Sequence, residues 1–130
     1  MGCPFCALPR ERIFAEDGLT VTFRDEFPVS PGHTLVIPRR HVVSPFEASA
    51  AEWAKIWDAL GRARGVLDRE FHPDGYNIGI NDDVAAGQTV MQLHVHLIPR
   101  YRGDVRDPRG GVRHCIPGRG YYRPAAEPES

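Results

Sequence analysis

One stretch of this chain is written as a single long amphipathic helix, and the segments on either side of it read as short strands. Ser49 and Glu52 form a Ser-x-x-Glu capping box, the local signal for a helix start. Apolar residues then fall at Trp53, Ile56, Trp57, Leu60, Ala63, Leu67 and Phe71. Spacings of three and four draw one stripe along a helix, so both Trp side chains are expected in the core. Pro73-Asp74-Gly75 closes the element. Upstream, Ile13-Phe14-Ala15 and Leu19 to Arg24 flank Glu16-Asp17-Gly18, a hairpin signal. His33-Thr34-Leu35-Val36-Ile37 is a third strand, stopped by Pro38. Downstream, Tyr76 to Asn81 alternates as a fourth strand, and Thr89 to Ile98 makes a long fifth, closed by Pro99. One helix covers one face of a sheet, and short links pair strands antiparallel. The expected fold is therefore α+β, with an antiparallel sheet of about five strands and one long helix. Such an open sheet has edges to manage, so pairing across a homodimer is expected.

The chain has 130 residues, the size of one domain. We expect a single domain over 1–130, with a core over about residues 3–105 and an irregular Gly-, Pro- and Arg-rich tail over 106–130. The last residues, Pro124 to Ser130, are expected to be disordered. Sixteen basic and seventeen acidic side chains leave a net charge of -1, so no global positive field exists to hold nucleic acid. No apolar run approaches the roughly 18 residues of a membrane span. The N-terminus lacks the basic start and apolar stretch of a signal peptide. The expected location is cytoplasmic, with neither membrane nor nucleic acid as partner. An odd count of three Cys argues against a disulfide framework. Cys3 and Cys6 form a Cys-x-x-Cys pair, which suggests metal or redox chemistry. Its place at the extreme N-terminus, with Pro9 soon after, does not suit a redox motif that should follow a strand and open a helix.

Successive strand side chains point to opposite faces. On the fifth strand Thr89, Met91, Leu93, Val95 and Leu97 share one face, expected against the helix. Val90, Gln92, His94, His96 and Ile98 share the other. Three polar side chains on one face of a central strand need partners or a ligand. Structurally satisfied histidines are one reading. A His-x-His metal site completed by Asp25 or Asp82 is a second. An imidazole nucleophile with its neighbour as orienter is a third.

The segment Gly87-Gln88-Thr89-Val90-Met91-Gln92-Leu93-His94-Val95-His96-Leu97-Ile98 closely resembles the signature of the histidine-triad (HIT) family, Gly-Gln-Ser/Thr followed by His-φ-His-φ-His-φ-φ with φ apolar. Asp25 to Pro38, with Pro31-Gly32-His33 and Leu35-Val36-Ile37-Pro38, resembles the family's other block in matching order and separation. The resemblance implies hydrolysis or transfer at the α-phosphate of a purine nucleotide, such as a dinucleoside polyphosphate or a nucleoside phosphoramidate. It implies that His94 attacks phosphorus and that a nucleotidyl-histidine forms. It places His96, Gln88, Thr89 and Asn81 around the phosphate, and His33 behind the triad row. Asp25 then meets the ribose, while Phe5 and Phe23 wall the base.

One position departs from the pattern. Gln92 stands where the first triad His is expected, able to hydrogen bond near substrate but not to carry charge. No cofactor is implied for the chemistry. Structural zinc is implied in some relatives, and Cys3, Cys6 and His41 match three of its ligand positions, with Gln92 at the fourth. The tail from Arg102 to Arg113 carries four Arg among glycines, which could reach a ligand's distal phosphates or form a solvated loop. Two other functions stay open at this point: a non-catalytic purine-nucleotide binding module, and a His-x-His metalloenzyme.

Overall fold

The computed structural model describes residues 2–122, so the expected disorder of Pro124 to Ser130 lies outside the described residues. Five strands and one long helix make up the body: β1 Ile13–Glu16, β2 Thr20–Arg24, β3 Thr34–Pro38, α1 Ala50–Phe71, β4 Gly75–Gly79 and β5 Val95–Arg100. The sheet order is β1-β2-β3-β5-β4, and every neighbouring pair is antiparallel. The β1–β2 hairpin turns where Asp17 supplies the local chemistry. Its Oδ1 accepts from the Leu19 and Thr20 amides at 2.8 and 2.9 Å.

Helix α1 begins as its capping box dictates. The Ser49 side chain accepts from Glu52 N–H, and the Glu52 carboxylate accepts from Ser49 N–H. Glu52 is buried, yet it is not an orphan charge, because the Arg40 guanidinium reaches it through Nε at 3.2 Å and Nη2 at 2.8 Å. The helix start is thereby bolted to the segment after β3. The helix ends at His72, which adopts the left-handed conformation with φ 52°.

The two sheet faces serve different purposes. Val36, Val95 and Leu97 face α1 and pack with Ile56, Leu60, Ala63 and Leu67. Each such Val, Leu or Ile side chain contributes about 1.5–3 kcal/mol when fully buried. On the opposite face Val21, Phe23, Leu35 and Ile37 pack under Phe5 and Leu8 of the N-terminal segment. No second helix covers that face among the described residues, so it can hold a cleft.

Two expectations need correction. The fifth strand does not begin at Thr89. The chain from Thr89 to His94 is irregular, and the β3–β5 ladder runs only from Thr34–Leu97 to Val36–Val95. Continuing that register would set Leu93 opposite Pro38, which has no N–H to give. The Leu93 amide instead donates to Val42 O at 2.7 Å. Thr89 and Met91, expected on the core face, are exposed. The second correction is Trp57, which is 65% exposed. Trp53 is half-buried and donates through Nε1 to Pro45 O at 3.0 Å. The apolar stripe is therefore broader than the core it serves.

Candidate active site

His33 enters β3 from the Pro31-Gly32 turn. Gly32 has φ 88°, and a Cβ there would come within 2.8 Å of Leu67, so the turn closes against the helix only with glycine. The ring of His33 is buried. Its Nδ1 accepts from the Val29 amide at 3.2 Å, so in the neutral ring the hydrogen sits on Nε2. That Nε2–H faces His96 Nδ1 at 2.9 Å, and Asp25 Oδ2 lies 3.4 Å from the same nitrogen. His96 is thereby left with its own hydrogen on Nε2.

His94 is fixed from the other side. Its Nδ1 lies 2.8 Å from the Gln92 carbonyl, which can only accept, so Nδ1 carries the hydrogen. Nε2 of His94 then holds an unshared pair. The His94 and His96 rings meet edge to face with centroids 5.2 Å apart, and Phe5 packs on His94 at 5.1 Å. Burial, then the neighbouring His94 and His33, push His96 down to about pH 4 as its titration point. Burial also lowers His33, with Asp25 opposing. His33 and His96 are thus held neutral near pH 7.

These rings border a cleft of about 430 Å³ on the helix-free face, walled by Phe5, Leu8 and Phe23 and edged by Asp25, Asn81 and Thr89. Asp25 also starts a turn, since its Oδ1 accepts from the Phe27 amide at 2.8 Å. The cleft combines an apolar slot with a few convergent polar groups, the usual form of a small-ligand site. A second opening, about 500 Å³, lies between Asn77, Ile98 and the tail. It has no comparable imidazole pair, its lining Arg100 is engaged with Asp104, and the nearby tail residue Arg109 is engaged with Asp107. Arg102 lies 3.6 Å from Asp74, and Arg113 donates to Gly120 O.

Several expected site residues are placed elsewhere. Gln92 is 1% exposed and does not border the cleft. Its Oε1 accepts from Val42 N–H at 3.0 Å, and its Nε2 donates to Pro38 O and Arg40 O at 2.9 and 3.1 Å. Both amide hydrogens are spent on backbone, so Gln92 is a clamp, not a substrate contact. Gln88 does the same for its loop: Nε2 donates to Val43 O and Val90 O, and Oε1 accepts from Asp83 N–H. The His-x-His metal pair is not gathered either. Among the described residues the imidazole and carboxylate atoms that cluster belong to Asp25, His33 and His96, without His94. Residues given no role by the motifs also border the cleft: Arg12, outside both blocks, and Glu26 and Phe27, inside the Asp25–Pro38 block. Arg12 stacks near Phe23 and lies 3.7 Å from Glu26. For Arg12 the signal in the sequence was nearness to β1; for Glu26 and Phe27 it was their place beside Asp25 in that block.

Cys3, Cys6 and His41 do come together, with one ligand atom from each within 4.8 Å of the others. Cys6 Sγ lies 3.0 Å from His41 Nδ1. Two thiols and an imidazole are the donor set that zinc prefers, so the residues fit. Gln92 cannot serve as fourth ligand while its oxygen is bound to Val42 N–H.

A family model described as HIT domain matches residues 9–103. The chain belongs to the HIT family. It is 37% identical over 93 residues to the asymmetrical bis(5'-nucleosyl)-tetraphosphatase of Schizosaccharomyces pombe, covering 72% of this chain and 51% of that one. It is 35% identical over 95 residues to the bis(5'-adenosyl)-triphosphatase of Dictyostelium discoideum, covering 73% and 64%. The chain therefore spans about half to just under two thirds of these two relatives. A zinc-bound histidine-triad family protein of Mycobacterium smegmatis superposes with a TM-score of 0.70 at 38% identity, over 78% of this chain and 77% of that one. Some HIT proteins similar to this chain are thus named as dinucleoside polyphosphate hydrolases, and one binds zinc.

Proposed function

We propose that this HIT protein hydrolyses a nucleotide at its α-phosphate, with a dinucleoside polyphosphate or a nucleoside phosphoramidate as substrate. The observation that carries the reading is the state of His94: Nδ1–H is tied to the Gln92 carbonyl and Nε2 keeps its electron pair beside the cleft. In the first step that pair forms an Nε2–P bond, and the bond from phosphorus to the leaving oxygen or nitrogen breaks with its electrons on the leaving group, a nitrogen taking up a proton from solvent so that it departs as the amine. The ring becomes cationic, and the Gln92 carbonyl stabilises its Nδ1–H. Water then attacks phosphorus and gives a proton to solvent, the P–N bond breaks with its electrons returning to Nε2, and neutral imidazole and a nucleoside monophosphate are released. His96 can give its Nε2 hydrogen bond to a phosphoryl oxygen, with His33 fixing its tautomer. Thr89 and Asn81 supply further donors, Asp25 accepts from ribose hydroxyls, and Phe5 and Phe23 hold a purine.

The same reading includes a homodimer. Among the described residues β4 pairs only with β5, leaving its other edge without a strand partner, and Ile78 and Ile80 are exposed. Arg64 stacks on Tyr76 of β4, and Asp68 accepts from the Tyr76 hydroxyl, so this side of α1 borders that edge. Trp57 shares that stripe by helical spacing.

The test is incubation with diadenosine tetraphosphate, diadenosine triphosphate and adenosine phosphoramidate, with products separated by chromatography. Wild type should release AMP from at least one of them. His94→Ala should release none while binding AMP within about tenfold, since the other cleft groups remain. Turnover at the wild-type rate by that variant would refute the reading. Binding without turnover by wild type would leave a nucleotide-binding module.

A further inference from the structure

The N-terminal turn serves both the cleft, which Phe5 lines, and the Cys3–Cys6–His41 cluster, whose third member stands in the segment after β3. Phe5 stands between the two cysteines in sequence, and the turn that carries it is closed by Cys6 N–H to Cys3 O at 3.1 Å. Its ring is in edge contact with Phe23 at 5.2 Å and with His94 at 5.1 Å. The base wall therefore rests on the loop whose two ends are thiols. On the other side His41 lies between Arg40 and Val42, whose backbone groups both bond the Gln92 side chain. The Gln92 carbonyl in turn fixes His94. Two contact routes, one through Phe5 and one through Gln92, thus run from the thiol and imidazole cluster to the same ring.

Besides Phe5, Leu8 anchors the N-terminal segment on the sheet. Pro4 and Cys6 are exposed, and its one aromatic anchor is Phe5 itself. A divalent ion joining Cys3 and Cys6 to His41 would cross-link this segment to the chain after β3, a closure spanning 35 residues between Cys6 and His41. We propose that zinc bound by Cys3, Cys6 and His41 sets the nucleotide affinity of the cleft by locking Phe5 against His94. The inference rests on the reading of the cleft as a nucleotide site. By linkage, the metal and the nucleotide must strengthen each other's binding by the same factor. For a contact of this kind that factor should be about tenfold, within the usual range of coupling between sites.

The full-length protein is stripped of metal, and zinc affinity is measured by competition with a chromophoric chelator, with and without saturating AMP. AMP affinity is measured by calorimetry on the zinc-loaded and zinc-free forms. Nitrogen-proton correlation spectra report the His94 imidazole in both forms without nucleotide. The expected result is about tenfold tighter AMP binding with zinc, the reciprocal gain in zinc affinity, and a displaced His94 signal. Phe5→Ala should bind zinc as wild type does but lose most of the AMP gain and of the His94 displacement. Equal AMP affinity in the two forms with an unmoved His94 signal would overturn the proposal, as would failure to bind zinc at micromolar concentration. A His94 signal that moves with zinc while AMP binds neither form would uphold the mechanical link and refute the nucleotide reading.

Discussion

Replacing Gln92 with Met removes the amide at nearly constant side-chain volume, so it isolates the hydrogen bonds from any cavity. Three backbone groups lose their partner: Val42 N–H, Pro38 O and Arg40 O. The bonds to Val42 and Pro38 are buried, whereas Arg40 O lies where water can replace the amide. A buried polar group left unpaired costs about 1–3 kcal/mol, so two of them destabilise the fold by about 2–6 kcal/mol. That is a large part of the 5–15 kcal/mol that holds a typical domain together. With a urea m-value of about 2 kcal/mol/M, the unfolding midpoint should fall by about 1–3 M with the slope unchanged. Fluorescence of Trp53 and Trp57 follows the transition. Had Gln92 been a substrate contact, the midpoint would hardly move and AMP affinity would fall instead. A shift under about 0.3 M at constant slope would therefore refute the clamp.

Other outcomes follow from the same geometry. Because burial holds His96 down at about 4 while an unfolded His titrates at its ordinary value of about 6.5, the unfolded chain takes the extra proton first as pH falls. The stability tied to a neutral His96 is therefore complete above pH 6.5 and should be lost by about 1–2 kcal/mol on going down to pH 4, after allowing for partial solvent access. His96→Gln should flatten that part of a urea-midpoint series against pH, and an equally steep series in the variant would refute the assignment. Light scattering at micromolar concentration should give twice the 14.5 kDa chain mass for wild type and one chain mass for Trp57→Glu. A monomeric wild type would remove the β4-edge dimer.

How much could be read in advance depended on how local the determinants were. The helix from its Ser49–Glu52 box and the hairpin at Asp17 are decided by residues within a few positions, and both form as expected. The fifth strand was overread because its alternation continues back to Thr89, whereas the ladder depends on Pro38, more than fifty residues away, lacking an N–H. Trp57 belongs to the same helical stripe as the core residues, and spacing alone cannot separate a face that meets the sheet from one turned to solvent. The histidines were legible because their order and spacing carry the family signature. The directions of the Gln88 and Gln92 amides were not, since a motif fixes where a residue stands and the surrounding carbonyls decide what it bonds. The roles of Val29 N–H and Gln92 O, which select the tautomers of His33 and His94, belong to backbone geometry and leave no mark in residue types.

The most direct test of the central claim is to catch the covalent intermediate and locate it. Protein mixed with excess diadenosine tetraphosphate is quenched within the first turnover under alkaline conditions, because phosphorus–nitrogen bonds to histidine break in acid, and is then digested and mapped by mass spectrometry. The account predicts one adenylyl group on the peptide containing His94, attached at Nε2, absent from His94→Ala and lost on acid treatment. An adduct on His96, or multiple turnovers by an enzyme that never carries a nucleotide on any histidine, would contradict it.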